Sequence, residues 1–198
     1  MGRLRQSVIA GSWYPGDPFV LRQDIAGYLS HVPDRIIEGD IMGIVAPHAG
    51  YMYSGQVAAY AYKVLQGRKY DAVVLVGPSH RLAFSGVSVY SHGTYETPLG
   101  EIPVDEKLAG AVIEGSRIAS DLPAAHTQEH SLEIQLPFLQ VVLGNFLLVP
   151  IVMGDQSDVT CRKLADAIDQ ASKDKKILVV GSSDLSHFHD YKTAKHLD

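Results

Sequence analysis

The sequence reads Ile41-Met42-Gly43-Ile44-Val45-Ala46-Pro47-His48-Ala49-Gly50-Tyr51 at the point that decides its fold. This is an apolar run that stops at a histidine and continues at once into a glycine. The same pattern returns in residues 71–80, which end in His80, and in residues 177–184, with His187 just beyond. Short runs of Val, Ile and Leu without alternation are typical of strands buried on both faces of a parallel sheet. The three runs therefore predict a largely parallel sheet covered by helices.

Helical signals alternate with these strand signals along the chain. A stretch rich in Ala and Tyr separates the first two runs, which is the spacing of a βαβ unit. The alternation predicts a three-layer α/β/α sandwich with a largely parallel central sheet, formed as a single α/β domain over residues 1–198. The expected helices are residues 18–29 after an Asp17-Pro18 start, 54–65 with Ser54 as the cap, 105–114 and 157–172.

Four segments carry weaker signals. Residues 87–90 and 100–104 look like short strands on either side of a turn, and we expect them to pair as an antiparallel ribbon. Residues 130–143 predict a helix that Pro137 bends or splits. Residues 146–153 predict another buried strand, in which Pro150 indicates a strand end or an edge position.

Composition limits the function classes. The chain has 198 residues, 46% of them hydrophobic, a net charge of −5 and a pI near 6.0, which argues against a nucleic-acid partner. The longest apolar run, residues 146–153, is too short to span a bilayer, and no signal peptide is visible, so no membrane partner is expected. The single cysteine, Cys161, is expected to be a buried structural thiol and suits a reducing compartment. We therefore expect a cytoplasmic protein.

Two histidines are the first candidate site residues. His48 and His80 each follow a predicted parallel strand, and the carboxyl ends of such strands meet at one edge of a sheet, where ligands bind. Imidazole is a common ligand of Fe, Cu and Zn. The alternative is that each histidine is a hydrogen-bonded structural residue at the end of its strand.

A third strand end carries Asp184 and His187. The two residues are three apart, so on an opening helical turn they would share one face. Such a pair suits a histidine that a carboxylate orients and that acts as a general base. The alternative is that Asp184 only caps a helix and His187 is exposed. A serine nucleophile at Ser79, Ser182 or Ser183 is less favoured, because no Gly-x-Ser-x-Gly elbow is present.

The fourth cluster lies in residues 126–136. His126 and His130 are four apart, as are Glu129 and Glu133. The order does not match the zinc-binding His-Glu-x-x-His helix. An inward-facing Glu133 would be costly unless hydrogen-bonded or paired, so we expect it to be a buried polar support for residues near the metal.

Five motifs carry, in this order, a resemblance to a known family: residues 10–14, 46–51, 77–80, 129–137 and 182–187. With these motifs the chain resembles the Memo family, AmmeMemoRadiSam system protein B. That family is similar in fold to the LigB-type class III extradiol dioxygenases, non-haem iron enzymes that open catechol rings.

The resemblance implies roles for individual residues. His48 and His80 match the two metal-ligating histidines, and His187 matches the catalytic acid/base, with Asp184 beside it. Trp13 matches a residue that borders the pocket, and we assign Trp13 and His130 to substrate binding. The implied cofactor is a divalent metal ion, Fe(II) first and Cu or Zn as alternatives.

One departure from the family pattern concerns the third metal ligand. The resemblance implies a cysteine in a C-terminal segment, which this chain, ending at Asp198, is expected to lack. The predicted function is a Memo-like metal-binding protein with a site of extradiol-dioxygenase type at the strand ends. The alternatives are a non-catalytic module that binds a metal or a peptide, and a zinc-assisted hydrolase, so enzyme activity is left open. The expected partner is a small molecule or a peptide, and a homo-oligomer is an open alternative.

Overall fold

The structure is a computed structural model that describes residues 2–198. Short strands and helices alternate along the chain. In chain order the elements are β1 (Leu4–Arg5), α1 (Pro18–Ser30), β2 (Gly43–Ala46), α2 (Tyr51–Lys63), β3 (Ala72–Pro78), β4 (Val87–Val89), β5 (Thr94–Thr97), β6 (Gly100–Pro103), α3 (Glu106–Glu114), β7 (Ala119–Ser120), α4 (Ala124–Thr127), a 3-10 turn (Glu133–Gln135), α5 (Leu136–Leu143), β8 (Leu147–Met153), α6 (Asp158–Ala171), β9 (Ile177–Ser182) and α7 (Tyr191–Leu197).

The main sheet has six strands in the order β2-β9-β3-β8-β4-β7. Strands β2, β9, β3 and β8 run parallel, and β4 runs antiparallel to β8. Helices α1, α2 and α5 contact one another, as do α3 and α6, and the sheet lies between helix layers. The predicted three-layer α/β/α class with a largely parallel sheet is therefore confirmed.

The central strand β3 explains why apolar runs without alternation form this sheet. Val74 pairs with Val149 of β8 on one side and with Val179 of β9 on the other. Val73, Val74 and Leu75 have no solvent exposure. Burial of each such side chain contributes about 1.5–3 kcal/mol, and both faces of the strand must be apolar to gain it.

The parallel register brings three strand ends to one edge of the sheet. Ala46 of β2 pairs with Ser182 of β9, and Val76 of β3 pairs with Gly181. Each strand is followed, two residues past its last member, by a polar candidate site residue. These residues are His48 after β2, His80 after β3 and Asp184 after β9.

Helix starts follow the predicted capping chemistry in part. Asp17 caps α1, where its Oδ1 accepts hydrogen bonds from the N–H groups of Phe19 and Val20. The second helix begins earlier than predicted, at Tyr51 after Gly50, so Ser54 is not its cap. The Ser54 hydroxyl instead donates to the carbonyl of Ala49 at 2.9 Å.

The expected ribbon of residues 87–90 with 100–104 was wrong. Strand β4 belongs to the main sheet and pairs with β8, whereas β6 pairs with β5 in a second sheet of order β1-β5-β6. The apolar residues of β4 are fully buried, which favours a place in the main sheet over a place in an outer ribbon.

Two further expectations also need correction. Pro150 lies inside β8, an interior strand, and not at an end or an edge. The carbonyl of Pro150 accepts a hydrogen bond from the Tyr90 N–H at 3.1 Å. Proline has no N–H to return this bond, and the pairing of β8 with β4 ends at this point, beside Ile151. Cys161 is exposed on α6 and is not a buried thiol. Pro137 does mark a break, because it lies in the first turn of α5, after the 3-10 turn.

The buried side chains of the sheet and of the helices on it form one hydrophobic core. Among the helices within residues 2–198, none has both the length and the hydropathy that crossing a bilayer requires.

Candidate functional site

His48 is buried at the end of β2, and its tautomer follows from its neighbours. Its Nδ1 lies 3.0 Å from Oγ of Ser182. The Ser182 hydroxyl donates its only hydrogen to the carbonyl of Ser131 at 2.6 Å, so it accepts the hydrogen of His48 Nδ1. The lone pair of His48 is therefore on Nε2.

His80 is fixed in the same tautomer by a carboxylate. Its Nδ1 lies 2.9 Å from Oε1 of Glu129, and an ionised carboxylate can only accept. The hydrogen is therefore on Nδ1 and the lone pair on Nε2. Gly77, three residues earlier, lets this strand end approach the loop that carries His130, because a Cβ there would lie 2.7 Å from Oγ of Ser131.

His130 completes the group from the other side. It is buried, and its Nδ1 has no hydrogen-bond partner within the part of the chain that the structure describes. Its ring lies against Trp13, with centroids 4.4 Å apart. Oε1 of Glu129 lies 3.5 Å from this Nδ1, without hydrogen-bond geometry, and a buried ring nitrogen that makes no hydrogen bond is uncommon in proteins.

The three imidazoles form a compact cluster. Ring centroids are 5.2 Å apart for His48 and His80, 5.8 Å for His48 and His130, and 4.4 Å for His80 and His130. One ring nitrogen from each residue lies within 4.8 Å of the other two. Three nitrogen donors at this spacing fit a single transition-metal ion.

Burial keeps two of these rings neutral. Loss of solvent lowers the pKa of His130 to about 4 and also lowers the pKa of His48, for which the nearby Asp184 only partly offsets the effect. Neutral imidazole is the form that binds metals. The cluster can therefore offer these lone pairs at neutral pH.

Asp184 and His187 lie beside the cluster. One Asp184 oxygen accepts the backbone N–H of His48 at 2.5 Å, and the other lies 3.0 Å from Nε2 of His187 and 3.8 Å from Nε2 of His48. The residues that link Asp184 to His187 are not helical, so the expected helical turn was wrong, although the two side chains do meet. Asp184 is mostly buried, and His187 is about half exposed.

A cleft of about 740 Å³ adjoins these residues. Asp184 and Trp13, which touch His48 and His130 respectively, form part of its wall. Its other side chains are mainly apolar or aromatic. They include Met52, Tyr53 and Phe188, with His187 beside them.

The segment that carries Trp13 is held by Glu133. The carboxylate accepts hydrogen bonds from the N–H groups of Val8 and Ile9 and from the Tyr14 hydroxyl, and it pairs with Arg5. Arg5 lowers the pKa of Glu133 although burial alone would raise it, so the carboxylate is ionised inside the protein. The inward-facing Glu133 is thus hydrogen-bonded and paired, which offsets the free-energy cost of burying its charge.

His126 belongs to the interior and not to the cluster. Its Nε2 lies 2.9 Å from Oγ of Ser88, which donates its own hydrogen to the carbonyl of Leu122, and its Nδ1 lies 2.6 Å from the Tyr95 hydroxyl. The ring therefore donates through Nε2 and accepts through Nδ1. Burial lowers the pKa of His126 to about 3.

The serine-nucleophile alternative finds no support in the hydrogen bonds. The Ser79 hydroxyl donates to the carbonyl of Leu82, and the Ser182 hydroxyl donates to the carbonyl of Ser131. Neither hydroxyl donates to a histidine, so no base is placed to activate it.

The site contains residues that the sequence did not single out as contacts. Ser182 orients His48, and Gln135 donates to Ser182 Oγ at 2.8 Å. Ser182 was visible as a strand-end serine, but nothing in the sequence indicates that it faces His48. Glu129 was noticed only through its spacing from Glu133.

Comparison with known proteins shows which family the chain belongs to. A family profile described as Memo-like protein matches residues 5–198. The chain belongs to the Memo family. Relatives named MEMO1 family protein come from several organisms. The one from Thermotoga neapolitana is 37% identical over 96% of this chain and 73% of the relative, and the one from Methanobrevibacter smithii is 40% identical over 98% and 73%. One from Pyrobaculum aerophilum is 40% identical, over 98% of this Memo-family chain and 73% of the relative.

Proposed function

We propose that this Memo-family chain binds one divalent transition-metal ion through His48, His80 and His130. The observation that carries the proposal is the placement of three ring nitrogens within 4.8 Å of one another. His48 and His80 were assigned to the metal by resemblance, and His130 was assigned to substrate binding. The geometry favours His130 as a third ligand, because its ring adjoins both others and its Nδ1 is orphaned.

The donor set fits the expected metals. Imidazole nitrogen suits Fe, Cu and Zn, and an all-nitrogen set does not favour Mg or Ca. We propose Fe(II) first, with Cu or Zn as the alternatives. Such an ion supplies positions for a small ligand and, in the case of iron, the redox chemistry that extradiol dioxygenases use.

The residues around the cluster suit the binding of a small molecule with an acidic hydroxyl. Trp13 and Tyr53 offer flat apolar walls to the cleft. Asp184 accepts from His48 and holds the ring of His187 at the rim of the cleft. Both nitrogens of His187 face acceptors, Nδ1 the Leu185 carbonyl at 2.7 Å and Nε2 the Asp184 carboxylate at 3.0 Å. His187 would therefore accept a proton from a ligand hydroxyl only after one of these contacts opens, and Asp184 would then stabilise the imidazolium. The proposed activity class is a dioxygenase-like oxidoreductase.

The metal site is tested by direct analysis. Protein purified without added metal is analysed for bound Fe, Cu and Zn, and the affinity of the metal-free protein is measured by competition with a chelator. We expect one ion per chain. Loss of a hydrogen-bond partner of a metal ligand lowers metal affinity by about 10–100-fold, and loss of a ligand itself should cost more. The affinity should therefore be at least about 100-fold lower in His48→Ala, His80→Ala and His130→Ala. His92→Ala is the control, because His92 is exposed and lies outside the cluster. Wild-type binding in all three variants would refute the site.

The activity class is tested separately with oxygen uptake on a panel of catechols. Iron with oxygen consumption supports the oxidoreductase, and we expect His187→Ala and Asp184→Asn to slow turnover more than they weaken metal binding. Bound metal without turnover supports a binding module. Bound zinc with cleavage of esters or amides supports a hydrolase.

A further inference from the structure

The carboxylate of Glu129 connects two of the three histidines. It is 2% exposed and lies between the loop after β3 and the loop before the 3-10 turn. Oε2 accepts the backbone N–H of His80 at 2.6 Å, and Oε1 accepts the Nδ1 hydrogen of the same residue at 2.9 Å. Oε1 also accepts the backbone N–H groups of His130 and Ser131, each at 2.9 Å. One side chain thus fixes both the ring of His80 and the backbone of His130.

The charge of Glu129 lacks an ordinary counter-ion. Its hydrogen-bond donors are three backbone N–H groups and the ring N–H of His80, and both oxygens act as acceptors, as in a carboxylate. Within residues 2–198, no lysine or arginine nitrogen lies within 4.0 Å of its carboxylate oxygens, although Arg5 donates to its backbone carbonyl. The ion-pair neighbours of the carboxylate are the rings of His80 and His130. Glu133, four residues later and equally buried, has Arg5. A buried charge without a partner is costly, whereas a cation held by the three rings would balance it.

We infer that Glu129 is the positioning residue of the histidine cluster. Its carboxylate holds the His80 ring with the Nε2 lone pair toward the ion, and its negative charge favours a dication among the three rings. The inference rests on the proposed metal site. Carboxylates that accept the second ring hydrogen of a metal-binding histidine fix its orientation and increase its basicity. Glu129 has both properties and, in addition, fixes the loop of a second ligand.

The test compares Glu129→Gln with Asp105→Asn. Both replacements remove a buried carboxylate and keep its shape, but Asp105 caps α3 and pairs with Lys175 at the opposite edge of the sheet, away from the cluster. Metal-free proteins are titrated with Co(II) and with Zn(II) against a chelator, and the visible spectrum of the Co(II) form is recorded. We expect Glu129→Gln to bind both ions about 10–100-fold more weakly and to change the Co(II) spectrum, because the amide cannot accept at every position and brings no charge. Asp105→Asn lowers the free energy of unfolding, but in its folded state it keeps the affinity and the spectrum of the wild type.

The possible results separate the inference from the site on which it rests. Failure of the wild type to bind Co(II) or Zn(II) refutes the metal site itself. Wild-type binding with an unchanged affinity and spectrum in Glu129→Gln overturns only the role of Glu129, and so does an equal loss of affinity in Glu129→Gln and Asp105→Asn. Should Glu129→Gln not fold, Glu129→Asp decides. The retained charge on a shorter side chain then gives an altered Co(II) spectrum and a loss of affinity of about tenfold, and wild-type behaviour overturns the inference.

Discussion

The ring of Trp13 lies against the ring of His130, with centroids 4.4 Å apart and planes inclined by 51°. Trp13 is the only tryptophan of the chain, so its fluorescence reports on the histidine cluster. We expect Cu(II) or Co(II) to quench this fluorescence on binding, because an open d shell in contact with the neighbouring ring offers a non-radiative path. Zn(II) has a filled d shell and should leave most of the emission.

A titration of metal-free protein followed at the tryptophan emission measures this effect. His130→Ala should shift the quenching to higher metal concentration, and the control His92→Ala should leave the titration unchanged. Quenching that persists in His130→Ala at the wild-type concentration would contradict a cluster that includes His130.

The buried pair of Arg5 and Glu133 should contribute strongly to stability. Both side chains are almost fully buried, and Arg5 also donates to the carbonyl of His126 at 3.0 Å. Arg5→Met leaves an unpaired carboxylate in the interior, so we expect the free energy of unfolding to fall by about 3–5 kcal/mol. Urea unfolding measures the change.

The matched control for that pair is Arg3→Met. Arg3 pairs with Asp121 near the surface, where ion pairs contribute about 1 kcal/mol or less. Similar losses in Arg3→Met and Arg5→Met would contradict the importance assigned to the Glu133 anchor.

The sequence predicted those parts of the site that depend on strand ends. His48, His80 and Asp184 each follow a buried parallel strand by two residues, and parallel pairing alone brings such positions together. Apolar runs reveal this arrangement, because burial on both faces of a strand leaves a continuous run. The place of His130 does not follow from that rule, since it lies on a loop that does not directly follow a strand in the sequence.

Other contacts could not be predicted because they join distant segments. The sequence does not show that Ser182 accepts from His48 or that Glu129 accepts from His80, since each pair depends on how two segments distant in the sequence pack together. The predicted pairing of residues 87–90 with residues 100–104 failed for a similar reason, because β4 pairs with β8 instead. A short apolar strand fits either sheet, and tertiary packing decides between them.

Acid should destabilise the metal-free protein through His126. Burial lowers its folded-state pKa to about 3, whereas an unfolded histidine titrates near 6.5. Between these values the unfolded chain binds more protons, so the free energy of unfolding falls as the pH falls below about 6.5, by up to about 1.4 kcal/mol per pH unit from this group. His130, with a pKa of about 4, acts in the same direction. Above about pH 7 neither group contributes a slope.

Urea unfolding between about pH 7.5 and pH 5 measures that slope, in a range where carboxylates titrate little. His126→Gln should give a flatter curve, because it removes one titrating group, and His92→Asn should keep the wild-type slope. A free energy of unfolding that stays constant down to pH 5 would contradict a buried neutral His126.

Gly77 should control the approach of His80 to His130. A Cβ at this position would lie 2.7 Å from Oγ of Ser131 and 2.9 Å from Cδ2 of Leu132, so Gly77→Ala must move the end of β3 or the facing loop. We expect the free energy of unfolding to fall by about 1–3 kcal/mol, the usual cost of overpacking. Metal affinity should fall at the same time, because His80 and His130 move apart.

Gly110→Ala in α3 is the control. A Cβ at Gly110 meets no heavy atom within 4 Å, and alanine should stabilise the helix by up to about 1 kcal/mol. Unfolding and chelator-competition measurements on both variants decide the matter, and a Gly77→Ala protein with wild-type metal affinity would show that the cluster tolerates this displacement.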